Sequence, residues 1–510
     1  METLINNDSC PLKDGIRRLV GLSGLTSLLL ASIGGLNAAD SIRTLEGMIG
    51  GLRPGVTVQV ADGDYQTLQP ILIEGKRGTD KAPIVVRAEH RGCAVIGGVA
   101  GFVIRDCEYL VLEGFTFTND TDQPAVLLDN SRHVQVTRNS FHLSSRARQR
   151  HVEHWVYVVG TNSAENRIDH NLFEHKVNFG SFVFVRGDDT ALVCSRHDRI
   201  DHNCFRDIAY GGGPKVHETI RTGGNDLGAS GQSSFTIIEE NLLEHCSGEQ
   251  EIMSLKSSDN IVRNNTLLNC RGAICLRLGN RDVVSGNFVI TTDGGSGQGG
   301  VKLYGCDHRV FNNYFAGLTG MDHEAPLAMI PGTLDTPVTQ NIGKKYDTNT
   351  TVPATRAWIA FNTWVDCAPL QFGLRKVDRA RKYVPNECVF VNNLVVCSGA
   401  KCGSLVNLEP VRSLKAHDNL GYATGMLSRA EWAGWFHWED PRLRQDEQGL
   451  WRLRASSPAA GMAVETSEAI TNDVFGRARV GRSTVGAEEF SRDVVLQAPL
   501  TPDKVGPDAP

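Results

Sequence analysis

The sequence predicts an all-β chain wound into one parallel β-helix, a solenoid closed by an N-terminal cap and a C-terminal capping segment, and three observations predict it. The first is a recurring unit: a short β-rich run, then Asn, then two residues that are mostly small, apolar or aromatic. It appears nine times, from Asn139-Ser140-Phe141 through Asn203-Cys204-Phe205, Asn265-Thr266-Leu267 and Asn313-Tyr314-Phe315 to Asn393-Leu394-Val395, at gaps of 22 to 49 residues. A tight β-helix coil needs just over twenty residues, so longer gaps are coils with loops inserted at a corner. The second is composition: 53 glycines and 19 prolines are scattered along 510 residues, as many short strands and tight turns require. The third is the scarcity of helical period between residues 85 and 410. Asn suits the recurring corner because it tolerates left-handed backbone and because its amide can bond the equivalent amide on the next coil.

The elements follow in chain order. Residues 1–38 read as a signal peptide: Lys13, Arg17 and Arg18 precede an apolar run from Leu19 to Leu36, and Leu36-Asn37-Ala38 supplies a small-residue cleavage pattern. Glycines 21, 24, 34 and 35 interrupt that run and weaken it as a membrane anchor. Export to the periplasm or medium is therefore expected, with no membrane association after cleavage. A short helix near Ser41 to Leu52 caps the open end of a β-helix domain spanning 39–420. Residues 421–490, with Trp432, Trp435, Trp438 and Trp451, are expected to cap the last coils. The four prolines and mixed charge of 491–510 predict a flexible tail. Thirteen cysteines show no metal-site spacing; Cys204, Cys270 and Cys275 sit in strand-like runs as small buried hydrophobes, which leaves room for one or two disulfides.

A formal net charge of -6 provides no global field for nucleic acid, so a polyanion must be held by a local cluster. The best candidate is Gly248-Glu249-Gln250-Glu251-Ile252-Met253-Ser254-Leu255-Lys256-Ser257, followed by Gly272-Ala273-Ile274-Cys275-Leu276-Arg277. Alternation in a strand points Glu249 and Glu251 to one face. Lys256 and Arg277 are 21 residues apart, close to one coil, so they stand nearly one above the other. Taken alone, such a group is also what a solvated strand with weak cross-strand ion pairs looks like.

That segment resembles polysaccharide lyase family 6, the family of alginate lyases and chondroitinase B, whose members are single-stranded right-handed parallel β-helices. The matches are Glu249, Glu251, Lys256 and Arg277, joined by Glu218-Thr219-Ile220-Arg221, Gly299-Gly300-Val301-Lys302 and Val485-Gly486-Ala487. The resemblance implies that Lys256 takes the C5 proton of a uronate, that Arg277 acts at the departing glycosidic oxygen, and that β-elimination leaves a 4,5-unsaturated sugar. Alginate comes first as the implied substrate, dermatan or chondroitin sulfate second. A lysine serves as base once burial or neighbouring cations lower its pKa from about 10.4. Arginine hardly deprotonates, so Arg277 is expected mainly to steady charge and orient a proton donor.

The resemblance also implies calcium on Glu249 and Glu251 with an Asn ligand, but that third position is Lys215. An ammonium there repels calcium, so Lys215 is expected to sit between the two glutamates and make the metal dispensable. Leu278 stands where the family often has His. Arg221, Arg263, Arg281, Lys302 and His308 are candidates for binding sugar carboxylates, with ordinary solvated charges as the alternative. His151 and His154 have a metal-like spacing but no third partner, and Arg186-Gly187-Asp188 reads as a turn. Two rival classes stay open: a β-helix glycoside hydrolase working through Glu249 and Glu251, and a non-catalytic carbohydrate-binding β-helix.

Overall fold

The structure is a computed structural model. It describes residues 38–510 except 122, 144–151, 210–216, 225–230, 336–349, 375–380, 400–402, 426–431, 433, 466–469, 482 and 492. The expected signal peptide, Lys215 and His151 lie outside the described residues.

Each coil lays one strand on each of three sheets in turn, and equivalent strands of successive coils pair in parallel. Among the described residues the first sheet has 13 strands, from Thr57–Val60 to Lys415–His417; the second has 14, from Gly63–Thr67 to Phe436–Trp438; the third has 12, from Ile71–Glu74 to Val406–Leu408. The expected parallel β-helix is therefore the fold. Because side chains alternate across a strand, the inward positions stack in columns. On the first sheet Val86, Leu112, Val136, Ile168, Ile200, Ile238, Val262 and Val284 are in register and fully buried. On the second, the rings of Phe117, Phe141, Phe173 and Phe205 stack at 4.6 to 4.9 Å.

The recurring asparagines form one ladder inside the first turn. The side-chain amides of Asn139, Asn171, Asn203, Asn241, Asn265, Asn287, Asn313, Asn362 and Asn393 each donate to the side-chain oxygen of the next, at 2.9 to 3.1 Å. Asn419 is a tenth member beyond the nine predicted. One expectation is corrected: the left-handed residue is the one before the ladder asparagine, for example Arg138 (φ 55), His170 (φ 52) and Glu240 (φ 55). Asn is selected for its amide alone, which satisfies otherwise stranded backbone groups in a buried turn.

The N-terminal cap is a helix, Ala38–Gly50, which sets Leu45 and Ile49 on the core. At the far end Trp432, Trp435 and Phe436 cover Phe372 and Phe390. The C-terminal segment is not confined to that end, however. It turns back along the outside of the coils: Gly486 bonds Asn392, Ala487 bonds Thr363, Arg479 bonds Asn312 and Phe475 packs on Phe288. The tail expected to be loose continues the return. Leu500 N donates to Thr266, Val505 is buried with Cys204 and Leu242, Gly506 N donates to His202 O, and Arg138 holds the carbonyls of Pro507 and Ala509 at 2.7 Å. Apolar burial and backbone pairing thus outweigh its prolines. Cys204, Cys270 and Cys275 are free and buried as expected, and Cys397 is disulfide-bonded.

Candidate active site

The first strands of the third sheet alternate exposed and buried residues, as Ile71–Glu74 does, but Gly272–Leu276 and Gln298–Leu303 are buried throughout. The outer face of the sheet is covered there, and that is where the candidate residues gather. Arg221, Ser254, Cys275 and Lys302 occupy one outward column in register. Arg277 N donates to Leu255 O and Tyr304 N to Leu276 O, which puts Lys256, Arg277 and Tyr304 in the next column on three successive coils. The expected one-coil spacing of Lys256 and Arg277 is what the register shows.

A bulge between Glu251 and Met253 inserts one residue opposite the next strand. Such a bulge re-aims the side chain before it. Glu251 thereby reaches over the small residues Ser254 and Cys275 to the Lys302 ammonium, 3.2 Å away, with Arg277 at 3.8 Å and the Ser254 hydroxyl donating at 2.6 Å. Burial raises the Glu251 pKa, but Lys302, Arg277 and Lys256 together pull it well below the usual carboxylate range. In return, Lys302 stays charged despite complete burial.

Lys256 lies 3.6 Å from Glu218, whose same oxygen is 3.7 Å from Arg221. Burial pushes the Lys256 pKa down; Glu218 pulls it up, Arg221 pushes it down again, and the net direction is down. Depression of a lysine in this way raises the fraction of free amine, the form that accepts a proton. Arg277 donates to the Tyr304 hydroxyl at 3.2 Å and its guanidinium lies 5.1 Å from the centre of that ring. Burial works against its charge, yet Glu251 and Tyr304 raise its pKa further, so it acts as a fixed cation. Arg221 lies over the Phe184 ring at 4.4 Å, and that ring stacks on Tyr157.

Several sequence-predicted residues are placed elsewhere. Lys302 is 2% exposed and committed to Glu251, so it supports the site's charge and is not a surface group for sugar. Arg263 lies on the first sheet, paired with Glu239 at 2.5 Å. Arg281 makes a two-pronged pair with Asp259 at the turn between the third and first sheets. His308 is wholly buried: Nδ1 accepts from Asp282 N, Nε2 faces Tyr304 O, and burial lowers its pKa to about 4. It is a neutral structural histidine. Leu278 joins an apolar cluster with Cys306 and Val352. His154 accepts from Ser181 N; Arg186 and Gly187 end the strand Val183–Gly187 and Asp188 bridges Val193, so the expected turn begins one residue later, where Asp188 accepts from Thr190 and Ala191. Glu218 and Tyr304 were given no role from the sequence; counting one further coil from Arg277 points to Tyr304.

The surroundings of Glu251 do not suit calcium, which takes six to eight oxygen ligands. Glu251 already faces an ammonium, a guanidinium and a donating hydroxyl. The expectation that Lys215 supplies this charge falls outside the described residues; at Glu251 the cation is Lys302.

Fold and site together define a parallel β-helix with a buried lysine and a buried arginine side by side on one face. Residues 39–420 match the family described as Chondroitinase B, and the chain belongs to that family, polysaccharide lyase family 6. Solved structures agree on the fold. A PL6 family alginate lyase, AlyGC, is 26% identical with a TM-score of 0.70, over 81% of this chain and 55% of that one. A mannuronic acid specific family 6 lyase from human gut microbiota is 24% identical (TM-score 0.65; 79% and 90% covered). The PL6 lyase Pedsa3628 from Pseudopedobacter saltans is 21% identical (TM-score 0.61; 78% and 94% covered). This chain thus spans just over half the length of AlyGC. No curated protein sequence matches it.

Proposed function

We propose that the protein is an exported polysaccharide lyase that cleaves a uronate-containing polyanion by β-elimination, with alginate as substrate. The observation that carries this reading is the pairing, on adjacent coils, of a buried lysine whose pKa is lowered with a fixed arginine cation. Lys256 in its amine form removes the proton at C5. That proton is weakly acidic until the neighbouring carboxylate is neutralised, and Arg277 and Arg221 are the cations placed to do so. Hydrolysis, by contrast, needs two carboxyls free to act as acid and base, and Glu251 is bonded to Lys302. Alginate is favoured over dermatan sulfate by the likeness to AlyGC, an alginate lyase.

Activity without added metal belongs to the same proposal, because Lys302 supplies the charge at Glu251 that calcium would bring. The N-terminal basic and apolar pattern supports export, and among the described residues no helix is long and apolar enough to cross a membrane. Incubation of the chelator-treated enzyme with alginate or dermatan sulfate, followed by ultraviolet absorbance, tests the reading. Absorbance rising with alginate supports it. A rise with dermatan sulfate alone moves the substrate assignment, a rise only after calcium is restored ends the metal-free part, and no rise with either polymer ends the lyase reading.

A further inference from the structure

A buried lysine that serves as a base has to be held in place without being locked as an ammonium. Resting on the lyase reading above, we propose that Glu218 is the positioning residue for this purpose: one oxygen of its carboxylate holds the Lys256 side chain against Arg221 and governs how readily the ammonium gives up its proton.

Glu218 is 2% exposed and precedes the short strand Ile220–Thr222, one coil before the strand that leads into Lys256. Thr219 N donates to Ile252 O and Lys256 N to Thr222 O, so the backbone is pinned on both sides of the pair. Glu218 Oε1 lies 3.6 Å from Lys256 Nζ and 3.7 Å from Arg221. Both separations exceed a normal N–H···O bond, so the carboxylate attracts the ammonium without engaging its proton in a hydrogen bond. Arg221 is fixed from its other side by the Phe184 ring, 4.4 Å away. Glu218 Oε2 is buried and has no hydrogen-bond partner among the described residues. Lys256 and Arg221 are therefore the groups that compensate this carboxylate, and a buried carboxylate compensated in that way favours the charged form of its neighbour.

The charged groups facing Lys256 are Glu218, Arg221, Glu251 and Arg277. Burial lowers the Lys256 pKa most; among the charges, Glu218 raises it most and Arg221 lowers it most. Glu218 thus leaves the buried amine enough proton affinity to hold the C5 proton once it is taken. The new ammonium forms opposite a carboxylate already in place, and its proton then passes to solvent with Glu218 still charged.

The test is the pH profile of kcat/KM for wild type, Glu218→Gln, Glu218→Asp, Arg221→Gln and Lys256→Ala, on whichever of alginate and dermatan sulfate the wild type cleaves. Glu218→Gln keeps the shape and removes the charge, so its ascending limb should lie about 1–3 pH units below that of wild type, the shift expected on losing an opposite charge at this range. Glu218→Asp, which returns the charge at shorter reach, should bring the limb part of the way back. Arg221→Gln leaves Glu218 to Lys256 alone and should move the limb to higher pH; it decides the question by itself if the Glu218 variants do not fold. A merely structural ion pair would change the melting temperature and leave every limb in place. An unmoved or upward-shifted limb in Glu218→Gln, or an unmoved limb in Arg221→Gln, overturns the proposal, while an active wild type and an inactive Lys256→Ala keep the lyase reading intact. A wild type silent on both polymers overturns the lyase reading itself, and this proposal with it.

Discussion

Replacing Lys302 by methionine removes an ammonium from a site where the Glu251 side chain is largely buried, and the structure sets the size of the effect. At 3.2 Å the Lys302–Glu251 attraction is about 5 kcal/mol gross at an effective dielectric of about 20. Burying both charges offsets much of that, so the pair adds little net stability over an apolar pair. Removing one partner alone is different, because it strands the other, and such losses run about 3–5 kcal/mol. Arg277 at 3.8 Å and the Ser254 hydroxyl remain beside Glu251, which places the expected loss for Lys302→Met near the lower end, about 3 kcal/mol. Urea titration at neutral pH measures it. The double variant Lys302→Met with Glu251→Gln should recover most of the loss, since no uncompensated carboxylate is left. The pH dependence has a defined sign: a carboxylate with a depressed folded pKa stabilises above its unfolded pKa, about 4.3, and that stability is lost as pH falls through the folded value. The destabilisation of Lys302→Met relative to wild type should therefore shrink as pH falls through that folded value, where Glu251 is neutral in both proteins. A single variant within about 1 kcal/mol of wild type, with no recovery in the double variant, would refute the assignment of Lys302 as the structural counter-charge of Glu251.

Three other outcomes follow from the same geometry. Lys256→Ala should reduce elimination by at least about 10²-fold in a variant that still folds, because Arg221 remains beside Glu218, and wild-type kcat/KM should rise with pH through a lysine pKa below the ordinary value, because the amine is the active form. Asn265→Ala removes the acceptor of Asn241 N and the donor to two backbone carbonyls inside a sealed turn; a loss of about 2–3 kcal/mol is expected by urea titration, whereas an exposed asparagine such as Asn162 should cost almost nothing. Truncation after residue 498 exposes Cys204 and Leu242 and frees Arg138, so limited proteolysis of the central coils should accelerate; an unchanged digestion pattern would show that the tail is only draped on the coils.

The β-helix was legible because its repeat is imposed by chemistry: a buried turn accepts few side chains other than an amide that both donates and accepts, and Asn139 to Asn393 record that demand coil by coil. The left-handed residue before each rung left no such record, since Arg138, His170, Glu240 and Phe361 share only a backbone conformation. Lys256 and Arg277 were legible because a tight coil fixes their spacing. Lys302 was misjudged for a related reason: its outward register was readable, but the bulge that swings Glu251 across two small residues to meet it was not. His308 has the composition of a binding residue and the surroundings of a core one, under the buried Asp282. The tail hid its contacts because a few apolar residues, Leu500 and Val505, anchor a segment whose prolines and charges are those of a loose one.

The most direct measurement of the central claim is mass spectrometry of alginate digested in heavy-oxygen water by wild type and by Lys256→Ala. Elimination by Lys256 predicts oligosaccharides lighter by one water than hydrolytic fragments, without heavy oxygen, and absent from the variant digest. Fragments that carry heavy oxygen, or unsaturated fragments produced equally well by Lys256→Ala, would contradict it.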